Sequence, residues 1–468
     1  MHTFIFDIGK TNLKATVLNT LGDVVWQNSV VNNSSEEGDY LSIASDTQWQ
    51  WLQQQLQRAF SDVGFGRINI STHGACAALV DEHGELVLPV MDYESPLPEQ
   101  MAETYDALRP PFTETFSPKL GLGLNLGAQL HWLKHQYPEA YRRTTHLLMY
   151  PQYFAYLLTG IACHEITSLG CHTDLWNTRD NCYSSLVEAL DLNHKCPPMH
   201  PAHAPLGKVS GNLAKRLGLD PTIDVFPGVH DSNAGLARYL YCSLPSPLTV
   251  ISSGTWIISM AVGHPVSDLQ APRDMLANID VNGTPTACAR FMGGREFQRI
   301  TTALPMRSDD MARSIAELIL RGIYIAPGVE ADSGPITQGS GSVMVINSDG
   351  RQYSLDEAKD HLAGDALATL YLASMLHLEL KLLNARGPIV FGSIAQKNPW
   401  LVKLVAQLRP DQPVMVSSGD ASTVTGAWCL TRWQETCPPS LDQFSQVIPS
   451  NVDGLVEYIA KAISIESL

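Results

Sequence analysis

The reading of this chain turns on Phe6–Asn19, FDIGKTNLKATVLN. Phe4, Ile5 and Phe6 make an apolar run that stops at an acid, Asp7. Leu13, Ala15, Val17 and Leu18 resume it as a second strand, with Lys14 and Thr16 alternating onto the other face. The gap between the runs suits a hairpin turn. Such a turn needs Gly and Asn, but it does not need an acid at the end of a buried strand. Burying a carboxylate is costly unless a cation or several donors meet it. Asp7 therefore asks for a partner that the hairpin alone does not supply.

The same shape returns later in the chain. Tyr239–Val250, YLYCSLPSPLTV, is a joint with Pro245 and Pro247 near the middle. Beyond it Val250–Met260, VISSGTWIISM, again reads as strand, Gly-Thr turn and strand, with Ser253-Gly254-Thr255 matching Gly9-Lys10-Thr11. Two such hairpins at the starts of two halves predict a duplicated domain whose turns face each other across a cleft. Successive turn N–H groups form an anion-binding concavity able to cradle a phosphate chain.

Composition bounds the function. The 468 residues have room for two or three domains with large cores. A chain 44% hydrophobic and 17% charged is globular, not disordered. Its net charge of −16 argues against general affinity for nucleic-acid backbones or anionic membranes, although a small anion could still be held locally. The nine cysteines are odd in number and scattered, without a Cys-x-x-Cys pair, so Cys163-His164, Cys171-His172 and Cys196 do not read as a zinc site. No apolar leader precedes the first strand and no run reaches about 18 apolar residues, so the expectation is a cytoplasmic enzyme with reduced thiols.

Strand and helix patterns alternate. A helix is expected from an Asp46 N-cap to Gly64, burying Leu52, Leu56, Phe60 and Val63. Strand, turn and strand follow over 67–94, then helix over 126–159 broken near Pro138 and Pro151. A long helix is expected from a Ser354–Glu357 capping box to Gly387, followed by the buried strand PIVFG. Gly121, Gly123 and Gly127 break the G-x-G-x-x-G spacing, and no clear strand precedes them, which rejects a dinucleotide-binding oxidoreductase.

Five stretches in order resemble the FGGY carbohydrate kinases of the actin-like, ribonuclease-H-like ATPase superfamily. They are FDIGKTNLKA; GLGLNLGAQLHWLKHQYPEAY with YFAYLLTG; FPGVHDSNAGLA; VISSGTWIISM; and GPIVFGSIAQKNPWLVKLVAQ with SSGDASTVTGAW. His230-Asp231 and Ser252–Trp256 are most similar to the rhamnulokinase and fuculokinase branch. Three departures stand out: Lys10 where relatives carry Thr or Ser, Ser393 after Gly392 where Gly-Gly is usual, and Gly293–Ile300, GGREFQRI, without the familiar aromatic run.

The resemblance implies an α/β fold of two ribonuclease-H-like domains with a cleft between them, residues 1–240 on the sugar side and 246–468 on the nucleotide side. It implies ATP and Mg²⁺ as cofactors and a small-molecule sugar as partner, with neither nucleic acid nor membrane, and a homodimer as the one protein partner entertained. Asp231 would be the catalytic base and would stand near the metal, with a helix N-cap as its structural alternative. Asp7 would orient the water shell of Mg²⁺. Gly9, Lys10, Thr11, Asn12, Lys14, Ser253, Gly254, Thr255, Gly392, Ser393 and Asn398 would hold the nucleotide. His73, Gly74, Asp92, Tyr93, His172, Thr173, His230 and Asp231 would hold the sugar. Trp132 and Trp176 read as core. The implied reaction is phosphorylation of a sugar hydroxyl, of a 6-deoxy-ketohexose, a pentulose or a related polyol. The alternative is a non-catalytic, nucleotide-gated sugar sensor on the same fold.

Overall fold

A computed structural model describes residues 1–464 apart from 36, 37, 243, 332, 348, 418–421 and 442, and the Ser253 side chain is also outside the described set. The chain parts into two α/β units. The first takes Met1–Leu244 with Ala277–Pro285 and Ala421–Asp442; the second takes Pro245–Leu276, Thr286–Asp420 and Gln443–Leu468.

In the first unit β1 (Thr3–Ile8) pairs antiparallel with β2 (Asn12–Leu18), which pairs antiparallel with β3 (Val24–Val31). On its other edge β1 lies parallel to Arg67–Thr72, and the sheet continues through Asp224–Val225 to Gly207–Lys208. Phe4, Phe6, Ile8, Leu13, Ala15 and Val17 share one core with Leu52 and Leu56 of the helix Ser45–Asp62. Thr16, on the face opposite these core residues, is also buried. The reason is that the second face is covered too: the helix Thr423–Leu430 packs on it, and Asn69 Nδ2 donates to the Ala427 carbonyl at 2.8 Å.

Three expected elements are corrected. Asp46 lies inside the first turn of its helix, whose N-cap is Ala44, and Phe60 and Val63 are only partly buried. The helical stretch 126–159 contains a strand, His146–Met149, which pairs antiparallel with Ala77–Val80. Pro151 does not break a helix there. It sits in the first turn of Tyr150–Thr159, where a missing N–H costs nothing. The capping box at Ser354 and Glu357 is present, but its helix ends at Ala358 and a new one runs Gly364–Leu382. Its first residue is a glycine because a Cβ there would stand 1.9 Å from the Leu304 carbonyl oxygen. The helix stops at Leu382, short of Gly387, because Asn384 turns left-handed with φ 48°.

The second unit repeats the plan. Leu248–Ser253 and Ile257–Val262 form an antiparallel hairpin, Pro285–Phe291 extends it, and Ile389–Phe391 lies parallel on the other edge of Leu248–Ser253. Val414–Ser417 and Phe444–Gln446 complete that edge, and Met275–Ile279 the opposite one. Trp132 and Trp176 are buried in a core cluster of the first unit.

Candidate active site

Asp7 sits at the buried end of β1, paired across the ladder with Lys14 of β2 and beside Ser71. Its side chain is 8% exposed, and the Thr423 hydroxyl donates to Oδ1 at 2.9 Å. Burial pushes its carboxyl up to about 6, while Thr423, Lys14 and Ser71 oppose the shift and the charge of Asp231 adds to it. The turn that follows is pinned from behind. Gly9 N–H donates to the Asn12 carbonyl at 3.0 Å; Asn32 donates its N–H to the Thr11 carbonyl at 2.9 Å and Nδ2 to the Gly9 carbonyl at 2.8 Å. Gln48 Nε2 donates to Asn32 Oδ1 at 3.0 Å, and the Tyr150 hydroxyl donates to Gln48 Oε1 at 2.5 Å. Thr11, Asn12 and Lys14 are left exposed at the surface.

Asp231 is the first residue of the helix Asp231–Tyr241, next to the strand Val229–His230 that pairs parallel with Arg67–Thr72. Its side chain is 32% exposed. Ser232 donates N–H to Oδ1 at 2.6 Å and its hydroxyl at 3.2 Å, and His230 Nε2 stands 3.2 Å from the same oxygen. Asn233 Nδ2 donates to His230 Nδ1 at 3.2 Å, which assigns the ring proton to Nε2, facing Asp231. Burial holds the His230 imidazole below its ordinary range, against the Asp231 charge. The N-cap is His230 and has no side-chain cap bond, so the capping alternative for Asp231 is not what the geometry shows. Behind His230, its N–H donates to Thr167 Oγ1 at 3.1 Å, and the Thr167 hydroxyl donates to buried Glu165 Oε2 at 2.6 Å.

Three histidines converge on Gly74. A Cβ there would lie 2.9 Å from His230 Nε2 and 3.8 Å from His172 Cε1, so glycine is what leaves this approach open. His73 is buried, with its ring 5.4 Å from that of Tyr93 and 5.8 Å from that of Tyr150. His172 holds the Leu124 carbonyl through Nδ1 at 2.8 Å. The Thr173 hydroxyl donates to the Leu169 carbonyl at 2.5 Å and accepts the Leu175 N–H at 3.2 Å, which builds the turn. Asp92 is 1% exposed and is met by Lys10, whose Nζ lies 2.6 Å from Oδ1 and 2.5 Å from Oδ2.

In the second unit Gly254 and Thr255 form the exposed turn of the Leu248–Val262 hairpin, and Gly254 N–H donates to the Trp256 carbonyl at 2.8 Å. Gly294 N–H donates to the Thr255 carbonyl at 3.1 Å, and a Cβ on Gly294 would stand 2.1 Å from the Gly254 carbonyl oxygen. The Gly-Gly start of GGREFQRI is thus a packing surface for this turn. Arg290, paired with Asp274 at 2.8 Å, stacks 4.6 Å over the Trp256 ring. Gly392 N–H donates to the Ile251 carbonyl at 3.3 Å and Ser393 is exposed. Asn398 caps the next helix through Leu401 N–H at 3.1 Å and donates to Thr369 Oγ1 at 3.0 Å. Residues 418–421 of the SSGDASTVTGAW stretch lie outside the described residues.

Sequence reasoning missed Asn32, Gln48, Thr167, Glu165, Asn233 and Thr423 as supports of these turns. Gln48 carried a signal, a polar residue among the buried positions of an amphipathic helix. Thr423 carried none, because nothing local ties it to a strand some 400 residues earlier. Among the described residues no group of three or more His, Cys, Asp or Glu could hold a metal, and no helix is long and apolar enough to cross a membrane.

Two α/β units, each opened by a hairpin with a glycine turn and flanked by a parallel strand, define the ribonuclease-H-like plan of actin-like ATPases. Residues 2–237 match the FGGY family of carbohydrate kinases, N-terminal domain, and residues 245–439 match the Carbohydrate kinase FGGY, C-terminal domain. The chain belongs to the FGGY family of carbohydrate kinases. It is similar to the crystal structure of a carbohydrate kinase from Novosphingobium aromaticivorans, with 30% identity, TM-score 0.86, and coverage of 99% of this chain and 98% of that one. It is 27% identical to the L-fuculokinase of Haemophilus influenzae over 55% of this chain and 57% of that protein. It is 27% identical to the rhamnulokinase of Halalkalibacterium halodurans over 40% of each. The chain spans about half the length of the curated relatives it matches most strongly. The xylulose kinase of Rhodospirillum rubrum, 14% identical at TM-score 0.78, shares the fold.

Proposed function

We propose that this chain transfers the γ-phosphoryl group of ATP to a hydroxyl of a neutral sugar or polyol, with Asp231 as general base. The observation that carries the reading is the setting of Asp231. It is a partly exposed carboxylate whose contacts with Ser232 and His230 all fall on Oδ1, which leaves Oδ2 to take the acceptor's proton. His230 fixes the orientation of that carboxylate, as its ring is itself locked by Asn233.

The fit to a divalent cation rests on Asp7, a carboxylate so desolvated that its proton affinity rises to about 6, with a single threonine hydroxyl bonded to Oδ1. One or two carboxylates completed by water and phosphate oxygens are the set Mg²⁺ prefers. Mg²⁺, when bound with ATP, supplies neutralisation of phosphate charge. The residues that would hold it, through water, are Asp7 and Asp231. The Gly9–Asn12 turn of the first unit and Gly254-Thr255 of the second offer backbone N–H groups and hydroxyls to phosphate oxygens; space around a Cβ at Gly254 is open, so phosphate can approach its backbone. Phosphoryl transfer asks the protein mainly for such positioning. The similarity to L-fuculokinase and rhamnulokinase supports 6-deoxy-ketohexoses as the first acceptors to try.

The test is ADP release from Mg-ATP across a panel of ketoses, aldoses and polyols. Release above the sugar-free rate with at least one member is expected. A flat panel would instead favour a nucleotide-gated sugar sensor.

A further inference from the structure

Lys10 sits in the Gly9–Asn12 turn, but its side chain does something a phosphate-binding lysine does not. The ammonium leaves the Gly9–Asn12 turn and lies on Asp92, 2.6 Å from Oδ1 and 2.5 Å from Oδ2. It also lies 3.0 Å from Glu94 Oε2 and 3.3 Å from Ser34 Oγ, and 4.8 Å from the centre of the Tyr93 ring. Its three protons therefore all have acceptors, and its charge is matched by two carboxylates.

Asp92 is equally engaged. Besides Lys10, its Oδ1 accepts the Glu94 N–H at 2.9 Å and its Oδ2 accepts the Ser34 hydroxyl at 2.5 Å. Three donor groups make four contacts with the carboxylate, matching its four lone-pair positions, and only 2% of the side chain is exposed. A sugar cannot displace these partners without taking Lys10 off the buried carboxylate that holds it. What this cluster shows to solvent is Lys10, 24% exposed, and Glu94, 52% exposed. The Tyr93 ring beneath Lys10 leads edge-on to His73, and so to the histidines around Gly74.

We infer that Lys10 is a specificity-determining residue of the acceptor site, buttressed by Asp92, and not a nucleotide ligand; with Glu94 it selects neutral polyhydroxy acceptors against sugar acids. The inference rests on the proposed phosphoryl transfer to a sugar. The selection follows from charge. An acceptor carboxylate arriving at Lys10 would be the third on one ammonium, with Asp7 and Asp231 on the same unit. A neutral diol needs only to share donors and acceptors with the Lys10–Glu94 pair.

The experiment is steady-state kinetics of ADP release with the best neutral acceptor and the aldonate of the same carbon number, for wild type, Lys10→Met and Glu94→Gln. Lys10→Met is expected to raise KM for the acceptor tenfold or more and to leave KM for ATP within threefold. Glu94→Gln changes a half-exposed residue and spares the fold; it should shrink the kcat/KM preference for the neutral acceptor over the aldonate about tenfold. A rise in KM for ATP with acceptor KM unchanged would overturn the assignment and return Lys10 to the phosphates. So would a wild type that prefers the aldonate. If no acceptor elicits ADP release from wild type, the proposed reaction itself fails, which these outcomes keep separate. Should Lys10→Met not fold, the Glu94→Gln preference and the wild-type aldonate comparison decide.

Discussion

Glu165 is a carboxyl with no exposed surface, one helix away from the reacting groups, and its replacement by glutamine should change sign with pH. Its oxygens accept Thr167 N–H at 3.0 Å, the Thr167 hydroxyl at 2.6 Å and Ser168 N–H at 3.3 Å. Burial pushes its carboxyl up from 4.5 to about 7, against these bonds. A folded-state pKa above the unfolded one means the native chain binds more protons between the two values, so stability falls as pH rises through that window. The full difference is about 3 kcal/mol, lost by pH 8 and above, from 1.36 kcal/mol per unit. Glutamine carries no charge to bury, but its amide nitrogen cannot accept, so one of the three bonds is lost at about 1 kcal/mol.

The net expectation for Glu165→Gln is a gain of about 2 kcal/mol at pH 8.5 and a loss of about 1 kcal/mol at pH 4.5. At roughly 2–4 °C per kcal/mol for a unit of this size, Tm should rise by about 4–8 °C at the higher pH and fall by about 2–4 °C at the lower. Thermal unfolding of both proteins in metal-free buffer reads this directly. An equal destabilisation at both pH values would refute the reasoning and mean that the ionised carboxylate is the form the fold needs. Since Thr167 also accepts the His230 N–H, kcat in the variant reports separately whether that bond survives.

Three further outcomes are expected. Asp231→Asn keeps the contacts on Oδ1 but removes the proton acceptor; kcat should fall on the order of 10²–10⁴-fold with ATP-analogue affinity unchanged, and near-normal turnover would show that another group takes the proton. Gly294→Ala drives a Cβ to 2.1 Å from the Gly254 carbonyl oxygen, so KM for ATP should rise tenfold or more while acceptor KM holds; an unchanged ATP titration would detach this turn from nucleotide binding. Gly426→Ala would put a Cβ 1.6 Å from the Ala234 carbonyl oxygen, where the helices Thr423–Leu430 and Asp231–Tyr241 cross. Overpacking against backbone should cost about 3 kcal/mol, seen as a Tm several degrees lower, and an unshifted Tm would mean the helices can part freely.

Much of the fold was legible because it is written in local pattern. Both hairpins could be read from alternating apolar runs around Gly-Thr turns, and each appears with the expected pairing. Errors fell where tertiary contact overrides that pattern. His146–Met149 became a strand because Ala77–Val80 offered it an edge. The helix expected from Ser354 ends at Ala358, and the next starts at Gly364 in a close approach to Leu304 that no window of sequence contains. Asp7 and Asp231 were legible through the family motif, whereas the partners that set their chemistry, Thr423, Ser71, Ser232 and Asn233, required coordinates.

The contrast between Asp7 and Asp231 answers the question raised by the first strand. Two carboxylates on one unit, of which Asp231 disfavours the charge on Asp7, differ in setting. Asp7 is nearly closed off from solvent and bonded by Thr423, with its proton affinity raised to about 6. Asp231 begins a helix and is a third exposed. A base must reach its proton, and the partial exposure of Asp231 suits that proposed role. A carboxylate whose charge is poorly compensated by protein suits a cation that supplies the missing charge, which suits Asp7. The difference in exposure and partners supports the different roles proposed for the two acids. The hairpin's buried acid is then a measure of how much positive charge the site still has to receive.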